Sequence, residues 1–183
     1  MSLDKNIIEG CIAGNRKAQK FLFEKYKSSM LGVCLRYCKS KDEAEDVLME
    51  AFMTILSQIH SYRGDGSIDQ WIRRVVVNTS INNYRKNLKH YFHADIDNVN
   101  ETDIDEDISF EIDDKQSVEA IMNAIQQMPD GYRIVLNMYV VEGYKHKEIA
   151  EMLNISIGTS KSQLSKARKI IQEKLSKNSK RVK

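Results

Sequence analysis

Apolar residues recur at three- and four-residue steps along most of this chain, and the longest such run predicts its clearest helix. Ala44, Val47, Leu48, Ala51, Phe52, Ile55 and Ile59 fall on one stripe, the spacing that gathers side chains on one face of an α-helix. Ser40-Lys41-Asp42-Glu43 precedes it as a capping box, in which a hydroxyl and a carboxylate satisfy the open amides of the first turn. Asp42, Glu43, Glu45 and Asp46 crowd that turn, where the helix dipole favours negative charge. A short helix over Asn6 to Ala13 and a longer one from about Arg16 to Cys38 are expected before it. A second box, Ser67-Ile68-Asp69-Gln70, opens a fourth helix in which Ile68, Trp71, Ile72, Val75 and Thr79 are expected to pack inward.

Towards the C-terminus, residues Lys145 to Lys174 read as two helices joined by a tight turn. Ile149, Ala150 and Leu153 stripe the first. Asn154-Ile155-Ser156 makes the turn, with Ser156 placed to cap a second helix from about Ile157. Leu164, Ala167, Ile171 and Leu175 line the inner face of that helix. Thr159, Ser162, Lys166 and Lys169 lie opposite, with Lys161 and Ser165 along one edge. A helix backed by a small core and presenting hydroxyls and cations suits a DNA major groove. The alternative is an ordinary amphipathic helix with a solvated face.

Two further faces carry candidate chemistry. In the third helix, Asp46 and Glu50 with the outward Met49 and Met53 form an acidic and apolar surface that fits a protein partner. In the fourth, Arg74, Asn78, Asn82 and Arg85 recur along one outer face, with Arg73, Asn83 and Lys86 nearby. Arg and Asn are the groups that bond base edges and phosphates, and Tyr84 offers a ring for an unpaired base. A solvated helix would also tolerate them. The intervening Arg63-Gly64-Asp65-Gly66 lacks the spacing and the Lys-Ser/Thr pair of a phosphate loop.

Charge sharpens this picture. Residues 1–89 hold 15 Lys/Arg against 10 Asp/Glu, residues 90–114 hold 10 Asp/Glu and no Lys or Arg, and residues 115–183 hold 13 against 6. Two basic blocks thus flank one acidic segment, as expected of two polyanion-facing units joined by a strap that avoids nucleic acid. One proline and eight glycines in 183 residues fit an all-α chain. The expected fold is two small helical domains joined by an acidic linker, the C-terminal one a helix-turn-helix. No apolar run approaches the roughly 20 residues of a membrane span, and no signal-peptide core opens the chain, so a cytoplasmic protein is expected.

Cys11, Cys34 and Cys38 sit within helical patterns and read as small buried thiols. A zinc site built from Cys34, Cys38, His90 and His93 has the wrong turn chemistry. No metal, cofactor or small-molecule substrate is expected. No Ser/His/Asp set or carboxylate pair emerges, and His60, His90, His93 and His146 have no evident partners, which argues against an enzyme. A stand-alone transcriptional regulator with a C-terminal helix-turn-helix is the competing reading.

Three segments together resemble one family. Ala44-Glu45-Asp46-Val47-Leu48-Met49-Glu50-Ala51-Phe52, then Trp71-Ile72-Arg73-Arg74-Val75-Val76-Val77-Asn78, then Gly158-Thr159-Ser160-Lys161-Ser162-Gln163-Leu164-Ser165-Lys166-Ala167-Arg168 are similar to bacterial extracytoplasmic-function sigma factors. Those are alternative initiation subunits of RNA polymerase. The resemblance implies that residues 1–89 are region 2, 90–114 an acidic flexible linker running through the polymerase interior, and 115–183 region 4. Asp46, Met49, Glu50, Phe52 and Met53 would meet core polymerase, with Phe52 supporting that surface from the apolar stripe. Arg63, Trp71, Arg73, Arg74, Asn78, Asn82, Arg85 and Lys86 would bind the minus-ten element. Thr159, Lys161, Ser162, Ser165, Lys166 and Lys169 would read the minus-thirty-five element. Promoter DNA, core polymerase and an anti-sigma factor are the implied partners. The absence of an acidic N-terminal extension and of a middle domain sets the chain apart from housekeeping sigma factors. Gln163 and Lys166 stand where the family often has arginine, and lysine lacks arginine's bidentate fork. The preferred upstream element is therefore expected to differ from the commonest one.

Overall fold

The structure is a computed structural model that describes residues 2–64, 66–91 and 123–179. The described residues are almost wholly helical and contain no strand. They divide into two units, Met1–Asn87 and Leu88–Lys183. The acidic segment 90–114 falls almost entirely outside the described residues, as do the end of the basic tail and the side chains of His90, His93 and Leu175.

The first unit holds α1 (Ser2–Ile12), α2 (Arg16–Tyr37), α3 (Lys41–Gln58) and α4 (Ile68–Tyr91). The first helix begins and ends earlier than its apolar pattern predicts. Gly14 takes φ of 73° and turns the chain. Asn15 then caps α2, its Oδ1 accepting from the amides of Lys17 at 2.9 Å and Ala18 at 3.3 Å. At Gly10 the two helices meet so closely that a Cβ there would lie 2.8 Å from that of Ala18.

The predicted stripe of α3 is wholly buried, as are Leu22, Tyr26, Met30, Val33 and Cys34 of α2, and the two helices pack together. Phe23 and Phe52 meet edge-to-face at 4.9 Å. The cap of α3 differs from the reciprocal box. Ser40 Oγ accepts from the Glu43 amide, but the Glu43 carboxylate reaches back to the amide of Lys39 at 2.8 Å. Its other oxygen accepts from Asn83 Nδ2 at 2.8 Å, so one carboxylate ties the α2–α3 corner to α4.

In α4 the expected inward set is partly corrected. Ile68, Ile72 and Thr79 are buried, but Trp71 and Val75 are only half-buried, and Val76, Val77, Ser80 and Ile81 complete the seam. The seam runs in four-residue steps through 68, 72, 76 and 80. Ser80 fits because its hydroxyl donates to the Val76 carbonyl at 2.9 Å and so carries no unpaired donor into the core. Ser67 caps the helix through the Asp69 amide and also donates to the Asp69 carboxylate, taking Asp69 rather than Gln70 as partner.

The second unit holds a helical stretch at 123–127, α5 (Asp130–Leu136), a single π-helical turn Asn137–Val141, α6 (His146–Leu153) and α7 (Ile157–Ser179). Ile134, Val135, Met138, Ile149, Leu153, Leu164, Ala167 and Ile171 form its core. Arg133 lies among them at 2% exposure, paired with Asp130 at 2.8 Å and donating to the Met128 carbonyl at 3.5 Å. A buried cation is tolerated only when so matched.

Candidate nucleic-acid and polymerase interface

The N-terminal unit presents two predicted faces. On α3, Asp46 and Glu50 are exposed beside Met49 and Met53, which stand 52% and 71% open to solvent. Phe52 is corrected as a contact residue: at 3% exposure and packed on Phe23, it supports that surface from beneath and cannot touch a partner.

On α4, Arg74, Asn78, Asn82 and Arg85 are all exposed along one face, backed by the buried seam. Arg73 is half-buried and already engaged within the chain. Asn83 is held by Glu43, and exposed Lys86 pairs with Glu50 at 3.1 Å. Trp71 is half-buried, its ring 5.9 Å from that of Tyr62. The Tyr62 hydroxyl donates to the Gly66 carbonyl at 2.7 Å, bracing the loop before α4, where Arg63 is exposed. That loop turns on Gly64 and Gly66, with φ of 82° and 101°. The hydroxyls of Tyr26 and Ser67 hold the Asp69 carboxyl below its usual range.

The C-terminal unit is a helix-turn-helix. Asn154, at φ of 56° and ψ of 48°, is left-handed, and the Ile155 amide closes on the Ala150 carbonyl at 3.1 Å, a helix stop of the Schellman type. Ser156 Oγ accepts from the Thr159 amide at 2.9 Å, which fixes the start of α7. Lys161 and Lys169 are exposed, and Ser162, Ser165 and Lys166 are half-exposed. Thr159 is half-exposed, but its hydroxyl is spent on Ser156 Oγ at 2.9 Å, so it shapes the turn more than it reads a base.

Three features of this unit go beyond what the sequence reading found. His146 does have partners: Nδ1 shares a 2.9 Å hydrogen bond with the fully buried Ser160, and the ring stacks on Tyr139 at 4.6 Å. Burial, with Lys161 and Arg168 nearby, holds its pKa below the ordinary imidazole value. Arg168 also sits 5.9 Å above the Tyr139 ring. On the opposite flank, the Lys166 ammonium lies 5.7 Å over Tyr132. Two aromatic residues in the segment before a helix-turn-helix were the available signal.

Cys11, Cys34 and Cys38 are free and buried, and burial pushes the Cys34 thiol up to about 11, so it stays protonated. Among the described residues no three His, Cys, Asp or Glu side chains gather as a metal site, and no helix is long and apolar enough to cross a membrane.

Residues 22–89 match the pattern of sigma-70 region 2, and residues 118–171 that of sigma-70 region 4. The chain is a sigma factor of the extracytoplasmic-function group. It is 26% identical to the RNA polymerase sigma-H factor of Pseudomonas aeruginosa, over 94% of this chain and 93% of that one. It is 25% identical to the ECF RNA polymerase sigma-E factor of Haemophilus influenzae, over 94% and 95%. The fold is shared with the sigma factor RpoE of Bartonella quintana, solved with the anti-sigma factor NepR, at TM-score 0.50 and 18% identity over 86% of this chain and 96% of that one. The protein is thus an alternative sigma factor of transcription initiation, which displaces the reading as a stand-alone regulator.

Proposed function

We propose that this sigma factor works by a two-point grip on promoter DNA, with a separate role for each exposed face. Residues 1–89 serve as the polymerase-docking and minus-ten unit, 115–183 as the minus-thirty-five unit, and 90–114 as the strap between them. Asp46, Met49, Glu50 and Met53 form the docking face for the core enzyme. Arg63, Arg74, Asn78, Asn82, Arg85 and Lys86 track the separated strand, with Trp71 and Tyr62 as the aromatic floor of the loop. Lys161, Ser162, Ser165, Lys166 and Lys169 face the upstream duplex.

The observation that carries this reading is the four-residue array Arg74, Asn78, Asn82 and Arg85, exposed together above a buried apolar seam. Strand opening needs no bond chemistry. Unstacking a base costs a few kcal/mol, and a protein that binds the extruded base better than the duplex offsets that cost. Each unit alone binds weakly, and tethering to one polymerase raises the effective concentration of the second contact. The protein therefore acts as a binding subunit rather than as an enzyme, in the cytoplasm, where polymerase and promoters are. An anti-sigma factor, like the one solved with the Bartonella relative, is a fitting regulator because it would cover the same faces.

Run-off transcription with and without core polymerase tests this reading. Specific transcripts should require both proteins, and Arg74→Ala with Asn78→Ala should remove them while leaving core binding intact. Promoter-specific footprints by the chain alone would overturn it.

A further inference from the structure

Two side chains of α7, Gln163 and Lys166, meet adjacent residues of α5. Gln163 lies against Gly131, with its amide nitrogen 2.9 Å and its Oε1 3.3 Å from where a Cβ would stand. One turn away on the same flank, the Lys166 ammonium rests 5.7 Å over the Tyr132 ring, within the range of cation–π attraction. Gly131 thus admits Gln163 into the α5–α7 seam, which removes it from the outward face. Lys166 stays half-exposed on that flank, with its ammonium against a ring on another helix. Its counterpart on the far flank, Arg168, lies over Tyr139.

We propose that Tyr132 is a positioning residue for promoter choice: its ring tethers the Lys166 ammonium, and the base preference of the upstream element where Lys166 arrives depends on both. The inference rests on α7 being the helix that enters the upstream groove. A lysine side chain has four rotatable bonds and a compact cation that meets any nearby acceptor. Such a group, unrestrained, contacts phosphates along the groove and discriminates little between bases. Held over a ring from one side, it offers its N–H donors to a narrower part of the groove, and a contact that is ordered beforehand distinguishes one base edge from the next. Tyr132 itself touches no DNA and acts through Lys166.

The test is run-off transcription by the full chain with core polymerase, on promoters carrying each of the four bases at each upstream-element position. Lys166→Ala should flatten the preference at one or two adjacent positions. Tyr132→Leu should flatten the same positions by about two- to fivefold, the range that cation–π contacts command, and change no others. Tyr132→Phe keeps the ring and should behave as the parent. Tyr132→Leu added to Lys166→Ala should have no further effect on preference. Tyr132→Gln, long and polar without a ring, repeats the test should the leucine variant not fold. A uniform loss across all promoters for both ring-less variants would overturn the tether. So would a preference unchanged by Tyr132→Leu but shifted by Lys166→Ala. If Lys166→Ala itself shifts no preference, the placement of Lys166 in the groove falls and takes the tether with it.

Discussion

Lys86 Nζ lies 3.1 Å from Glu50 Oε1, so an ion pair joins the helix face assigned to polymerase and the helix assigned to the open strand. Both side chains are at least half exposed, and such pairs contribute about 0.2–1 kcal/mol, less at high salt. The two ligands of these residues therefore compete with the pair. Glu50→Gln should strengthen binding of the chain alone to single-stranded minus-ten DNA by about two- to fourfold at low ionic strength, and the gain should vanish in high salt. Fluorescence anisotropy would measure it, and unchanged affinity at low salt would show that the pair does not restrain Lys86.

The docking face can be reversed in charge without touching the core. Asp46 is exposed, so Asp46→Lys should abolish capture of core polymerase while the thermal midpoint moves little, since surface substitutions usually fall within about 0.5 kcal/mol. Phe52→Ala offers the contrast. It removes the partner of Phe23 and should cost about 3–5 kcal/mol of stability. Pull-down paired with calorimetry separates the two, and a destabilised Asp46→Lys would sink the surface assignment.

The depressed pKa of His146 gives region 4 a stability slope with a definite sign. Burial comes first among its causes, then Lys161 and Arg168 on α7, while Tyr139 stacks on the ring and Ser160 bonds it. Above the unfolded value of about 6.5 both states are neutral and pH has no effect through this group. As pH falls below that value the unfolded chain takes up a proton before the folded one does, so stability declines. It levels off once pH passes the lower folded value. Protection factors of the amides in α6 and α7, taken relative to the intrinsic exchange rate at each pH, should therefore fall between neutral and mildly acidic pH. His146→Asn, which keeps a hydrogen-bonding group near Ser160 without a titration in this range, should remove that fall. A slope that survives the substitution would assign it elsewhere.

Arg133 provides a fourth prediction. Its guanidinium is buried and bonded to Asp130 and to backbone carbonyls. Arg133→Ala removes the cation and leaves those acceptors without it, at a cost of about 3 kcal/mol. Urea unfolding should show the C-terminal unit lost first, with core binding through α3 retained. Simultaneous loss of both would be inconsistent with a defect confined to one unit.

How much of this is legible in the sequence varies with the kind of signal. The α3 stripe is fully legible because seven apolar positions at helical spacing admit one face only. The exposed array on α4 is legible as well, because polar residues at three- and four-residue steps mark a face directly. The inner face of α4 is legible only in part. Val75, Val76 and Val77 are consecutive, so periodicity alone does not choose among them, and Ser80 enters the core only because its hydroxyl bonds the Val76 carbonyl. Arg133 looks like any surface cation until Asp130 and the carbonyls around it are seen in space. The pairs His146–Ser160 and Tyr132–Lys166 each join two different helices, and no periodicity within one helix announces them.

The π-helical turn at Asn137–Val141 closes with the Glu142 amide on the Asn137 carbonyl at 3.0 Å, one residue wider than an α-turn. Each added residue rotates the downstream chain by about 100° around the axis. Tyr139, Val140 and Val141 consequently emerge at the surface, and Tyr139 comes to lie against His146 and beneath Arg168. Excising one residue there would restore ordinary winding and swing the tyrosine away. The platform beside the reading helix is thus a product of phase, inherited from a single surplus residue in the coil before it.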